Sequence, residues 1–138
     1  MAKQYIIDGA SFIKLFMVKP DHALSVIENS YILEFCYAEI GDLLSNRSSM
    51  EETEEERARI SSMGEDLIDI LKSVEIAGVK WDNFRTMLSI AIYKKINFRD
   101  VAYLWSAKEN NLILLTENDK LVKIGAELDI IVKNVDDI

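Results

Sequence analysis

The segment NFRDVAYLWSAKENNLILLTENDK, residues 97–120, carries the strongest structural signals in this chain. Val101 and Leu104 recur at helical spacing, which predicts a helix that packs by one face. The apolar run LILLT, residues 112–116, then predicts a buried strand. One carboxylate, Asp100, lies near the start of the helix among apolar positions, where a core-facing surface usually excludes charge.

Asp100 has an ordinary explanation and a functional one. Asn97 is a suitable N-cap residue, and an acid three positions later can complete a capping box and interact with the positive end of the helix dipole. The functional explanation requires acids from distant segments to converge on Asp100. The rest of the chain decides between the two.

Strands and helices alternate along the whole sequence. Short apolar runs predict strands at residues 5–7, 31–35, 74–80, 112–116 and 130–135, and helical spacing of apolar residues predicts helices between them. Strands that alternate with helices form βαβ units, and hence a mostly parallel central sheet flanked by helices. We therefore predict the α/β class and, from the length of 138 residues, a single domain over residues 1–138.

Composition limits the chemistry that the chain can support. It has one cysteine, Cys36, and one histidine, which excludes metal clusters built from thiolates or imidazoles. Any metal must be held by oxygen, which favours Mg²⁺, Mn²⁺ or Ca²⁺. No apolar run reaches about 18 residues and no signal-peptide pattern is present, so we expect a cytoplasmic protein without a membrane segment.

The net charge of −8 argues against nucleic-acid binding through a broad basic surface. Much of the excess is local, because five glutamates lie in EETEEE, residues 51–56. We interpret that run as the solvated start of a long helix, with Ser48 and Glu51 at capping-box spacing.

Polar residues follow two predicted strands. Asp8 ends the first strand, and Asn118 and Asp119 follow the strand that ends at Thr116. In an open parallel sheet, binding sites form outside the carboxyl ends of the strands. Each residue also has an ordinary explanation, as a helix cap or a polar turn. Glu39 lies within the mostly apolar segment LEFCYAEIGDLL, where it is either a charge that requires a partner or an exposed helical glutamate.

In this order and spacing, the segments resemble the PIN-domain nucleases, and within them the small prokaryotic VapC-type toxins. YIIDGASFIKLF is similar to the family's opening strand, aspartate and first helix, and LEFCYAEIGDLL to the segment that holds its glutamate. INFRDVAYLWSAKENNLILLTENDKL is similar to the block in which an aspartate is followed by a tyrosine, a strand, a threonine and then an aspartate or asparagine. The resemblance covers nearly the whole chain.

The resemblance implies that Asp8, Glu39 and Asp100 are the three principal acids of a Mg²⁺ or Mn²⁺ site, with Asn118 in the fourth position. Asp8 and Asp100 would be direct ligands, and Glu39 would bind the metal or orient its water. Two carboxylates about 4 Å apart repel by about 4 kcal/mol at an effective dielectric constant of about 20, so such a cluster requires protons or a cation.

Two positions depart from the family pattern. Many relatives have an aspartate where this chain has Asn118, and neighbouring Asp119 is a candidate substitute. Ala10 stands where the family usually has serine or threonine, and Ser11 is adjacent. Thr116 belongs to the motif and is a supporting residue of the implied site.

Three hypotheses follow from these observations. The first is a metal-dependent endoribonuclease, which the resemblance implies would act on RNA, form a homodimer and be inhibited by a small VapB-type antitoxin. The second is a PIN-like binding module with impaired catalysis. The third, suggested by topology alone, is a response-regulator receiver. Lys94, Lys95 and Arg99 precede Asp100 and would either flank an RNA path or form a solvated basic helix end.

Overall fold

The computed structural model describes residues 3–50 and 53–138. These residues form one sheet of five strands in the order β3-β2-β1-β4-β5, and every neighbouring pair is parallel. The strands are β1 (Tyr5–Ile7), β2 (Ser30–Ile32), β3 (Glu75–Ile76), β4 (Ile113–Leu115) and β5 (Val132–Lys133). The predicted α/β class and parallel sheet are confirmed.

Helices cover both faces of the sheet. They are α1 (Gly9–Val18), α2 (Pro20–Glu28), α3 (Cys36–Ser49), α4 (Glu54–Leu71), α5 (Phe84–Lys94), α6 (Phe98–Asn110) and α7 (Asp119–Glu127). Consecutive strand residues point to opposite faces. Ile6 of β1 therefore packs in a buried cluster with Met87 and Val101 of α5 and α6. Ile7 packs in a second cluster with Phe12 of α1.

The strand order tests the hypothesis that the chain is a response-regulator receiver. The receiver fold has the order 2-1-3-4-5. Here the chain moves outward from β1 through β2 to β3 and then returns, so β4 pairs with the other side of β1. The receiver hypothesis is therefore wrong. The reversal occurs between β1 and β4, which is where an open α/β sheet has its binding crevice.

The strand predictions were correct in position but too long. The strand predicted at residues 31–35 spans only Ser30–Ile32, because the chain turns after it and the Cys36 amide donates to the Leu33 carbonyl at 2.9 Å. The segment 74–80 contributes only Glu75–Ile76, and the segment 130–135 only Val132–Lys133. Edge strands with a neighbour on one side are often short.

The predicted cap of the acidic helix was also wrong. Ser48 lies inside α3, and α4 begins at Glu54 with Thr53 as its N-cap, whose hydroxyl accepts from the Glu56 amide at 3.1 Å. Glu51 lies outside the described residues. Within the described part of the chain, no helix is both long and apolar enough to cross a membrane.

Candidate active site

Asp8 lies between the end of β1 and the start of α1. Its amide donates to the Leu115 carbonyl of β4 at 3.2 Å, and its Oδ1 accepts from the Ser11 amide at 2.9 Å. The ordinary explanation of Asp8 as an N-cap is therefore correct. Asp8 is nonetheless only 8% exposed, at the edge of the sheet where β1 and β4 end together.

The carboxylate of Asp100 forms a hydrogen bond across the sheet edge. Asn97 caps α6 through its Oδ1, which accepts from the Asp100 amide at 2.8 Å. The Asp100 Oδ2 accepts from Asn118 Nδ2 at 3.2 Å. Asn118 in turn caps α7, because its Oδ1 accepts from the Lys120 amide at 3.2 Å. The starts of α6 and α7 are thus joined at the end of β4.

Glu39 reaches the same edge from the first turn of α3. The Tyr103 hydroxyl of α6 donates a hydrogen bond to Glu39 Oε1. The start of α1 lies directly against this turn, since a Cβ on Gly9 would be 2.7 Å from the Glu39 Cβ. Glycine at position 9 therefore allows Asp8 and Glu39 to approach each other.

These groups line one cleft of about 330 Å³. Asp8, Glu39, Asp100 and Asn118, predicted from four separate segments, all contribute to it. The remaining lining residues are Ala10, Asp42, Leu43, Arg99, Thr116 and Glu117. The three acids therefore lie together at the carboxyl edge of the sheet, as the functional explanation of Asp100 requires.

Burial raises the pKa of Asp8 above its ordinary range. A hydrogen bond from Thr116 and the backbone hydrogen bond from Ser11 oppose the increase, whereas the charge of Asp100 adds to it. The Ser11 hydroxyl is buried beside Asp8 without a well-formed hydrogen bond among the described residues. The site therefore favours a proton or a cation at Asp8.

The other two acids are affected in the same direction. Burial raises the pKa of Glu39, the hydrogen bond from Tyr103 opposes this, and the charge of Asp8 adds to it. Burial also raises the pKa of Asp100, against the effects of Asn118 and Arg99. Like charges and desolvation thus act on one connected set of carboxylates.

The donor set fits a hydrated hard cation. Among the described residues, no three His, Cys, Asp or Glu side chains form a group that could hold a metal ion. Mg²⁺ usually keeps several waters and uses only one or two carboxylates. Asp8 and Asp100, two carboxylates that line the same cleft, suit that mode of binding.

The supporting residues divide between the cleft and the solvent. Thr116 lines the cleft, and its Oγ1 accepts from the Asn118 amide at 3.2 Å. Asp119 is exposed at the start of α7 and does not line the cleft. Of the three basic residues, Arg99 lines the cleft, while Lys94 pairs with Glu127 at 2.6 Å.

Sequence reasoning missed the part played by Glu117 and Lys14. Glu117 lines the cleft and pairs with Lys14 of α1 at 2.5 Å, and its Oε2 accepts from the Val135 amide at 3.0 Å. Lys14 also pairs with Asp136 at 2.9 Å. Lys14 is 103 positions from Glu117 and 122 positions from Asp136 in the chain, so no local pattern indicates either pairing.

The strand order and the placement of the cleft define a PIN-like α/β fold. The crystal structure of PAE2754 from Pyrobaculum aerophilum matches with a TM-score of 0.78 and 19% identity, over 99% of this chain and 94% of that chain. A chain in the structure of FitAB bound to the IR36 DNA fragment matches with a TM-score of 0.61 and 14% identity, over 96% and 95%. No family model and no curated protein matches the sequence.

Proposed function

We propose that this protein is an endoribonuclease that hydrolyses RNA phosphodiester bonds with Mg²⁺ or Mn²⁺. The observation that carries the proposal is the meeting of Asp8, Glu39 and Asp100 in one cleft at the carboxyl edge of a PIN-like sheet. The pKa values of these three carboxyl groups are raised, as is typical of clustered carboxylates in a cation site that holds no cation.

The four predicted site residues have distinct roles in this proposal. Asp8 and Asp100 hold the cation, and Asn118 fixes the orientation of the Asp100 carboxylate through its amide hydrogen bond. Glu39, oriented by Tyr103, accepts a hydrogen bond from the attacking water. When bound, the metal would polarise the phosphoryl group and lower the pKa of a water molecule.

The acidic charge of the chain is compatible with an RNA substrate. A metal ion in the cleft would neutralise the carboxylates and attract a phosphate, and Arg99 at the cleft supplies a further positive charge. RNA would therefore bind at a local site and not over a broad basic surface.

The proposal is tested by cleavage of labelled RNA with and without Mg²⁺ or Mn²⁺. We expect metal-dependent cleavage that EDTA abolishes. Asp8→Asn should slow it by at least about 100-fold, since a lost ligand removes several kcal/mol of metal-derived stabilisation. Asparagine preserves the helix cap, which separates the chemical effect from a folding effect.

Asp119→Asn is the matched control, because it removes an exposed carboxylate next to the site. It should leave cleavage unchanged. Cleavage that persists in EDTA, or that survives Asp8→Asn, contradicts the proposal.

The second candidate is a PIN-like module that binds RNA without cutting it. It is favoured by the amide at Asn118, by Ala10 in the cleft, and by the lack of a three-acid metal group among residues 3–50 and 53–138. RNA binding by the unmodified protein without cleavage in either metal would establish this candidate and overturn the first.

We further propose that the chain is the toxin of a toxin–antitoxin pair, inhibited by a small VapB-type protein. Support comes from an apolar groove of about 280 Å³ between α1 and α3, adjacent to the cleft. Met17, Val18 and Leu43 line it and are 57%, 51% and 42% exposed, and exposed apolar patches often bind protein partners. A gene neighbourhood without a short open reading frame beside the coding sequence would argue against this partner.

A further inference from the structure

Three aromatic rings contact one another at the surface beside the start of α6. The ring centroid of Phe98 lies 5.1 Å from that of Phe84 and 6.2 Å from that of Trp81. The planes of the Trp81 and Phe98 rings differ by 17°. We refer to Trp81, Phe84 and Phe98 as the aromatic cluster. Trp81 is 52% exposed and Phe84 is 46% exposed, although large rings usually stabilise a fold by being buried.

The aromatic cluster adjoins the acidic cleft. Phe98, Arg99 and Asp100 are consecutive residues in the first turn of α6. Arg99 and Asp100 line the cleft, and Phe98 packs partly against the core below. An RNA strand with a phosphate at the cleft would therefore pass close to the aromatic cluster.

The charges around the rings differ from those of the whole molecule. A basic residue is next in the chain to each ring: Lys80 precedes Trp81, Arg85 follows Phe84, and Arg99 follows Phe98. Lys80 and Arg85 have no acidic partner within salt-bridge distance in the described ranges. Asp82 is the one acid within residues 80–85, in a protein with a net charge of −8.

We infer that the aromatic cluster is a stacking subsite for unpaired bases of an RNA strand whose backbone enters the cleft, an inference that rests on the proposed function. Every base has a π-face, so exposed rings flanked by cations bind single strands with little dependence on sequence. A second copy of this chain is the alternative occupant, and the oligomeric state of the variants distinguishes it from RNA.

The inference is tested by RNA binding in an Asp8→Asn background, which prevents cleavage during the measurement. The probes are a short single-stranded RNA of mixed sequence and its duplex. Trp81→Ala should weaken single-strand binding by about 5- to 100-fold, the range expected for loss of one stacked base, with a much smaller effect on the duplex. Tyr93→Ala is the matched control, because Tyr93 is an 83% exposed aromatic residue of α5 outside the cluster, and it should leave the affinity unchanged.

A direct readout comes from fluorescence. The chain has two tryptophans, so Trp105→Phe leaves Trp81 as the only tryptophan. Single-stranded RNA should quench the emission of Trp81, and the quenching should be half complete at the RNA concentration that gives half-maximal binding. Sedimentation of each variant shows whether the change at Trp81 alters the oligomeric state.

The outcomes separate this inference from the proposed function. If the unmodified protein cuts RNA but Trp81→Ala binds single strands as tightly as its parent, the subsite is wrong and the nuclease stands. If RNA quenches Trp81 but is never cut, the nuclease is wrong and the subsite stands. Absence of RNA binding, or conversion of a dimer to a monomer by Trp81→Ala, overturns the subsite, and the second result would assign the face to another copy of the chain.

Discussion

Asp100 contributes to the cleft more than to the cap of its own helix. The Asn97 side chain caps α6, and the Asp100 carboxylate accepts its hydrogen bond from Asn118 of the neighbouring strand end. Burial raises its pKa, so the ionised form is less favourable in the folded protein than in the unfolded chain. A residue that acted only as a cap would gain from its charge.

We therefore expect Asp100→Asn to be neutral or stabilising, by up to about 1 kcal/mol, when metal is absent. The substitution should also abolish the stabilisation by Mg²⁺ or Mn²⁺, which for the parent is about 2.7 kcal/mol at a metal concentration 100-fold above the dissociation constant. Denaturant unfolding with and without metal measures both effects.

The difference in stability between the parent and Asp100→Asn should depend on pH. The pKa of Asp100 in the folded protein lies above its ordinary value of 3.8. Below pH 3.8 the side chain is mostly protonated in both the folded and the unfolded state, so it does not lower the stability. The cost develops as the pH rises from 3.8 to the folded pKa of Asp100 and is complete above it. The advantage of Asp100→Asn without metal should thus be absent near pH 3.8 and present at neutral pH.

Asp119→Asn serves as the control, because this exposed acid at the start of α7 should have no effect on metal stabilisation. A variant Asp100→Asn that unfolds more easily than the parent without metal, and that is still stabilised by Mg²⁺, would show that the residue is only a cap.

At the scale of elements, the geometry of the cleft depends on the contact between α1 and α3. A Cβ on Gly9 would lie 2.7 Å from the Glu39 Cβ and 3.3 Å from the Ile40 nitrogen. Both contacts are shorter than van der Waals distance, and the second involves backbone that cannot rotate away. The two helices can therefore lie this close only with glycine at position 9.

We expect Gly9→Ala to destabilise the fold by about 1–3 kcal/mol, as overpacking usually does, and to move Glu39 away from Asp8. Urea unfolding measures the first effect and metal affinity the second. Gly41→Ala is a matched control in α3, because nothing lies within 4 Å of its new Cβ, and it should stabilise by about 0.5–1 kcal/mol. Equal stabilities of the two variants would show that the α1–α3 contact adjusts freely.

A second set of contacts fixes the opposite wall of the cleft. Glu117, just after β4, is joined to Lys14 of α1 and to the Val135 amide near the C-terminal end. Thr116 accepts from the Asn118 amide, and its hydroxyl opposes the rise in the pKa of Asp8. The ends of β1 and β4 are thus connected by side chains as well as by the sheet.

At the scale of the whole molecule, apolar side chains remain exposed on separate helices. Met17 on α1 lines the groove proposed for the antitoxin, whereas Leu88 and Ile92 on α5, outside that groove, are 40% and 62% exposed. Exposed apolar area of this kind often marks association surfaces. We expect a homodimer in solution, so sedimentation equilibrium should give twice the 15.8 kDa mass of one chain. The mass of one chain at every protein concentration would contradict the dimer.

The sequence by itself determined the elements and their order. Helical spacing and short apolar runs depend on neighbours within a few positions, and these local patterns predicted the α/β class. The motif resemblance, and not periodicity, singled out Asp8, Glu39 and Asp100 as the site acids. The Asn97 cap was also predictable, because capping is a contact over three residues. Strand lengths were overestimated, because an apolar residue such as Leu33 can be buried in a turn as well as in a strand.

Tertiary structure decided the strand order and the partners of the acids. Pairing of β1 with both β2 and β4 brings residues from distant segments to one edge of the sheet. The hydrogen bonds from Tyr103 to Glu39 and from Asn118 to Asp100 span 64 and 18 positions. The physical reason for the division is that burial, desolvation and charge repulsion depend on distances in space, which local patterns do not contain, whereas periodicity and capping depend on distances along the chain.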